Sequence, residues 1–191
     1  MAPTNLLPSL RAKVQPKSVA ADDMPGRSNL ALARQRKTLG TELRATAYFY
    51  DGQKIVISSV MSAVGSMIVE TDDVSVLDSD VSDAILGRVL CDHLLRHVAQ
   101  EPPSQRDAKR TDWPAFKASR ARSVRAFEQK SSRAVVQTFG PLLLEIEVAP
   151  TRTYEPHLWV KSVAAAQHDE LGARVRDAIR GVELLQTAGA I

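Results

Sequence analysis

"RATAYFYDGQKIVISSV", residues 44 to 60, holds two β-prone runs on either side of Asp51-Gly52. That dipeptide tolerates the positive φ of a two-residue hairpin turn, so the stretch predicts an antiparallel hairpin and opens the fold with a sheet. Downstream, "SMIVETDDVSVL" (66–77) alternates polar and apolar residues in part, which predicts a further strand with Glu70 and Asp72 on one face. "SDVSDAILGRVLCDHLLRHVAQ" (79–100) changes period. Ile85, Val89, Leu90, Leu94 and His97 recur at three- and four-residue steps, so this is a helix whose first turn Asp80 or Ser82 can cap.

Further along, Thr111 or Asp112 starts a second predicted helix running to about Lys130, with Pro114 in its first turn and Trp113, Phe116, Ala121, Val124 and Phe127 on its apolar side. "RAVVQTFGPLLLEIEVAPT" (133–151) returns to strand character with a turn at Gly140-Pro141, and "HLWVKSVA" (157–164) supplies another strand. The final helix, "HDELGARVRDAIRGVELL" (168–185), buries a stripe of Leu171, Val175, Ile179 and Val182. Two segments, "SDAILGRVLCDHL" and "HDELGARVRDAI", share an acidic start and a Leu-Gly pair, as if one ribbon-then-helix unit were used twice. Gly87 and Gly172 each cost about 1 kcal/mol of helix propensity against alanine, for which a close helix-to-sheet approach would compensate.

The expected architecture is α+β: a twisted, mostly antiparallel sheet packed against two or three helices, spanning residues 44–191 as one domain. Residues 1–43, with prolines at 3, 8, 16 and 25 and few large apolar side chains, read as a flexible basic arm. Up to residue 45 eight Lys and Arg stand against Asp22, Asp23 and Glu42, a balance of +5, so with +3 overall the remainder carries −2. At 191 residues, 44% hydrophobic and 25% charged, the composition is that of a folded soluble domain, and no apolar run approaches the roughly 20 residues of a membrane span. Asp22 and Asp23 argue against an organellar leader, and the single Cys91 requires no oxidising compartment, so the protein reads as cytoplasmic.

Six carboxylates, Glu70, Asp72, Asp73, Asp78, Asp80 and Asp83, crowd one short stretch with no Lys or Arg among them. As a calcium loop it fails, because with Asp78 in the first position the sixth is Asp83 instead of glycine and the twelfth is Val89 instead of glutamate. The helix dipole accounts for Asp80 and Asp83, but not for Glu70, Asp72 and Asp73. Glu145 and Glu147 stand side by side on one strand face, about 7 Å apart, and invite a cationic partner. His93 and His97 share a helix face but no third ligand is indicated, so no metal and no cofactor is assigned. Asp107-Ala-Lys109 has the letters of a nuclease strand but lies in a proline-flanked linker, and no serine-nucleophile or phosphate-loop signature is present. Nothing points to an enzyme. Between Arg106 and Arg133, nine cations face three acids, which invites a nucleic-acid reading; a solvated helix face explains them as well, since the aromatics belong to the core stripe.

"DVSDAILGRVLCDHL" after an acidic strand, then "FEQKSSRAVVQTFGPLLLEIEVAPTR", "LW" and "HDELGARVRDAIRGVE" resemble, in that order, the contact-dependent growth inhibition immunity proteins. The positions that carry the resemblance are Asp83 with Leu86-Gly87, Pro150-Thr151-Arg152, Trp159, and Glu170-Leu171-Gly172, spread over residues 45 to 185. The arm and "CDHLLRH" depart from the family pattern. The resemblance implies a cytoplasmic inhibitor that binds the toxin domain of a cognate secreted effector. Toxins of this kind are commonly nucleases, often acting on tRNA, and their active sites are cationic. The implied toxin-binding residues are then the acids Glu70, Asp72, Asp73, Asp78, Asp80, Asp83, Glu145 and Glu147, with Tyr154 and Trp159 as aromatic anchors. No membrane partner is expected, and nucleic acid binding through the arm and the Arg-rich stretch 112–133 is the alternative.

Overall fold

The computed structural model describes residues 27–62, 68–100, 110–140, 143–151 and 160–189. Helix α1 (Arg27–Leu39) precedes a meander of β1 (Arg44–Tyr50), β2 (Lys54–Met61) and β3 (Val69–Asp78), which is followed by α2 (Asp83–Leu95). A short 3-10 turn (Arg110–Asp112) and the one- to two-turn helices α3 (Pro114–Ser119) and α4 (Val124–Gln129) lead to a second meander, β4 (Ser131–Phe139), β5 (Leu143–Pro150) and β6 (Val160–Ala165), followed by α5 (His168–Thr187). The six strands form one antiparallel sheet in the order β3-β2-β1-β4-β5-β6.

The hairpin expected at Asp51-Gly52 is present, both residues having positive φ, 54° and 65°, but its connection takes in Gln53 as a third residue, since Tyr50 pairs with Lys54 and Tyr48 with Val56. Alternation then sorts the side chains. Ala45, Ala47, Ile55, Ile57, Ala134, Val136, Leu144, Ile146 and Val148 point to one face, where Leu86, Leu90 and Leu94 of α2 and Leu171, Val175, Ile179 and Val182 of α5 complete the main core. On the opposite face Tyr48 and Val56 meet Ala115 and Phe127 of the α3–α4 segment in a smaller core.

The topology is a repeat. Each half is a three-stranded meander followed by a helix, and β1 pairs with β4 around Ala47 and Ala134, so the halves are related by an approximate twofold at the sheet centre. The glycines obey the same relation. A Cβ on Gly87 would lie 1.8 Å from the carbonyl oxygen of His168, the first residue of α5; one on Gly172 would lie 2.0 Å from that of Asp83, the first residue of α2. The close approach is therefore helix to helix, where the sequence suggested helix to sheet. Any side chain larger than hydrogen at these positions forces the helices apart.

Two further expectations change. The arm drawn to residue 43 contains α1, whose Leu32 is buried in the main core, whose Asn29 side chain accepts from the Ala166 amide, and whose Arg36 bonds Glu42 and the Gly140 carbonyl; residues 1–26 lie outside the described ones. The single helix expected over 112–130 is broken at Arg120, which has φ 59°. There Ser119 turns its hydroxyl to the Phe116 carbonyl, and Ser123 restarts the chain as the cap of α4.

Alanine at Gly87 or Gly172 is expected to destabilise the fold by about 3 kcal/mol or more in urea denaturation, because the overlap is with backbone. Alanine at Gly181, whose Cβ would meet Val160 at an ordinary 3.6 Å, is expected to stabilise by about 0.5–1 kcal/mol through helix propensity. Equal stability of the first two variants and the parent would refute the crossing.

Candidate functional site

The acids that lie together in the sequence part company in the fold. Glu70, on the β3 face that looks toward α3, is turned inward. One of its oxygens accepts from the Tyr48 hydroxyl at 2.5 Å and Trp113 Nε1 at 3.0 Å; the other accepts from the Ser58 hydroxyl at 3.1 Å and the Ala115 amide at 3.2 Å. Four donors from the sheet and the first turn of α3 thus converge on one carboxylate, and they clip the α3–α4 segment to the sheet. Burial, and after it the Glu70 charge, hold the Tyr48 hydroxyl well above its ordinary pKa. Phe127 seals the joint, its ring 5.3 Å from Tyr48 and 4.9 Å from Trp113.

Asp73 faces the other way, toward α2. The Ser59 hydroxyl donates to it at 2.7 Å and Arg96 at 2.9 Å. Having given its one proton to Asp73, Ser59 must accept from His93 Nδ1, 2.7 Å away, which leaves Nε2 to accept from the Ser75 hydroxyl at 2.9 Å. Ser, His and Asp stand here in a relay, but the imidazole is fully buried, so the relay ties α2 to β2 and β3. Burial, helped by Arg96 and opposed by Asp73, pushes the His93 pKa down to about 4. For Asp73 partial burial acts upward, yet the bonds from Ser59 and Arg96 outweigh it and the pKa ends below the usual value. Cys91 on the same helix is buried, which pushes its thiol up to about 12 and leaves it inert. Asp83 pairs with Arg176 Nε at 2.7 Å, and the same guanidinium reaches the Ser79 and Val81 carbonyls, joining α5 to the turn before α2.

Asp72, Asp78 and Asp80 remain. They are exposed and form no ion pair among the described residues, and Val76 and Ile68 on the same strand margin are 47% and 37% exposed. Glu145 and Glu147 do lie side by side on the outer face of β5, but Lys161 of β6 contacts both, 3.7 Å from Glu145, and Gln137 donates to Glu145 at 2.5 Å. The bond to Glu147 and its charge raise the Lys161 pKa. Four strand steps, roughly 19 Å, separate β3 from β5, and α3 and α4 cover the sheet over β1 and β2, so the two acidic groups do not form one surface. Phe139, Leu143 and Val163, at 56%, 43% and 47% exposure, give the outer face of β4–β6 an apolar character that the strand pattern did not signal. Tyr154 and Trp159, like Asp107-Ala-Lys109, lie outside the described residues. Of the Arg-rich stretch, Lys117 lies 3.6 Å from Asp112 and Lys130 lies 3.1 Å from Asp51; Arg120, Arg122 and Arg125 are exposed, while Trp113 and Phe127 are committed to the smaller core.

No protein family and no curated protein matches the sequence. The fold is nevertheless known. A protein of unknown function from Neisseria meningitidis, NMB0488, is similar with a TM-score of 0.57 and 14% identity over 74% of this chain and 95% of that one. A chain of the CdiA-CT/CdiI toxin and immunity complex from Yersinia pseudotuberculosis is similar with a TM-score of 0.52 and 15% identity, over 73% of this chain and 97% of that one. No helix among the described residues is long and apolar enough to cross a membrane.

Replacing Glu70 by alanine strands four donors, and a loss of about 3 kcal/mol or more is expected in denaturant titration, with an early change in Trp113 fluorescence as the α3–α4 segment lifts. Because the folded pKa of His93 is depressed, its contribution is complete above pH ~6.5 and is lost as pH falls toward 4. His93 alone should remove about 3 kcal/mol of stability between pH 7 and 4, and His97, also lowered by burial, adds to the same slope. A flat profile over that range would contradict the buried relay.

Proposed function

We propose that this chain is an immunity protein that binds and neutralises the toxin domain of a cognate contact-dependent growth inhibition effector. The observation that carries the reading is the fold shared with a chain of a toxin and immunity complex along 97% of that chain's length. The sequence resemblance, drawn from motifs on α2, β5 and α5, supports it independently. In this reading the protein acts by stoichiometric binding in the cytoplasm of the cell that makes it, and the toxin is a nuclease with a phosphate-binding, cationic active site. Of the acids considered, Asp72, Asp78 and Asp80 form no ion pair among the described residues, and the exposed Val76 and Ile68 of the same strand margin provide apolar contact between charges. An acidic margin of this kind steers a cationic partner and accelerates association, and a stable contact of ordinary size buries about 1,600 Å².

Co-expression with the C-terminal domain of the effector encoded beside it is expected to restore growth that the domain alone abolishes. Changing Asp72, Asp78 and Asp80 together to lysine should slow association about tenfold at low salt, with the difference shrinking as salt rises and thermal unfolding unchanged. Absence of protection, together with salt-sensitive binding of the isolated chain to bare tRNA through Arg120, Arg122 and Arg125, would favour a nucleic-acid-binding protein instead.

A further inference from the structure

A cleft of about 530 Å³ opens where the β1–β2 turn, the start of β4 and the second half of α5 meet, within the range of about 300–1,000 Å³ typical of small-molecule sites. Phe49 and Ile179, both packed on the main core, give it an apolar wall. Lys54, Lys130, Arg176 and Arg180 line it, Lys54 with its ammonium drawn to the Ser119 carbonyl at 3.3 Å, and Glu183 is the only carboxylate among the described lining residues. Arg176 is held in place by Asp83 and two carbonyls, so it contributes a positioned charge.

Lys130 and Arg180 are tied less firmly than Arg176. Lys130 pairs with Asp51 and Arg180 with Asp177, all four side chains being between 42% and 67% exposed. Pairs this exposed hold weakly, so a ligand that offers more acceptor oxygens can recruit both cations. A guanidinium fork, an ammonium and nearby hydroxyls such as Ser132 suit the several oxygens of a phosphate better than the two of a carboxylate. We propose that this cleft binds a small phosphorylated molecule of nucleotide size, its phosphate between Lys130 and Arg180 and its ring against Phe49 and Ile179.

Calorimetric titration of the full chain with AMP, adenosine and inorganic phosphate tests the assignment. AMP is expected to bind saturably and at least tenfold more tightly than adenosine. Lys130→Glu and Arg180→Glu are each expected to weaken AMP at least tenfold while leaving thermal unfolding unchanged, both side chains being more than half exposed. AMP binding no tighter than adenosine, binding that survives both substitutions, or no saturable binding of AMP and phosphate alike would overturn it.

Discussion

At the crossing of α2 and α5 the two helices touch backbone to backbone, and a methyl group on Gly87 or Gly172 would sit 1.8 or 2.0 Å from a carbonyl oxygen. Each glycine lies four residues beyond the first residue of its helix and meets the first residue of the other. This reciprocal contact locks the two meander-and-helix halves face to face, and the pairing of β1 with β4 continues the same relation through the sheet. Everything outside that frame is an addition: α1, reaching Ala166 and Gly140, and α3 with α4, clipped by Glu70 over the first half only. The asymmetry follows. One half has its outer face covered, while the other leaves Phe139, Leu143 and Val163 in the open.

Much of this frame is legible in the residues. Asp51-Gly52 announces its turn, the Leu171–Val182 stripe matches the buried side of α5, and the likeness of the two Leu-Gly segments reflects a repeat that the topology makes plain. What could not be read was which surface approaches a glycine: a missing side chain records that something comes close, not what. Helix α1 escaped because among its described side chains only Leu32 is buried, too little for a periodic signal. The break at Arg120 escaped because Trp113, Phe116 and Phe127 keep a helical spacing although the chain is two short helices, with Trp113 and Phe127 against Tyr48 and Phe116 against Phe127. Ser123, now the cap of α4, was the available clue.

The carboxylates show the same limit in another form. Their clustering in sequence is real, and the two-residue period predicts Glu70 and Asp72 on one face, but the pairing of β3 with β2 shifts register between Glu70 and Val74. Destination depends on what covers that face. Trp113 and Ala115 claim Glu70; Ser59, Arg96 and His93 surround Asp73; Arg176 takes Asp83. Lys161, a residue that drew no attention in the sequence, neutralises much of the Glu145 and Glu147 pair. Of the eight acids singled out, only Asp72, Asp78 and Asp80 form no ion pair among the described residues, which in the proposed reading narrows the surface for a cationic toxin to one margin of the sheet.

The functional account stands or falls on a stoichiometric complex. Light scattering of the purified chain mixed with the purified toxin domain of the effector proposed as its partner measures this directly. A single species with the summed mass of one copy of each, in which toxin activity vanishes at equimolar inhibitor, is the predicted result. Two separate species with the toxin fully active would contradict it.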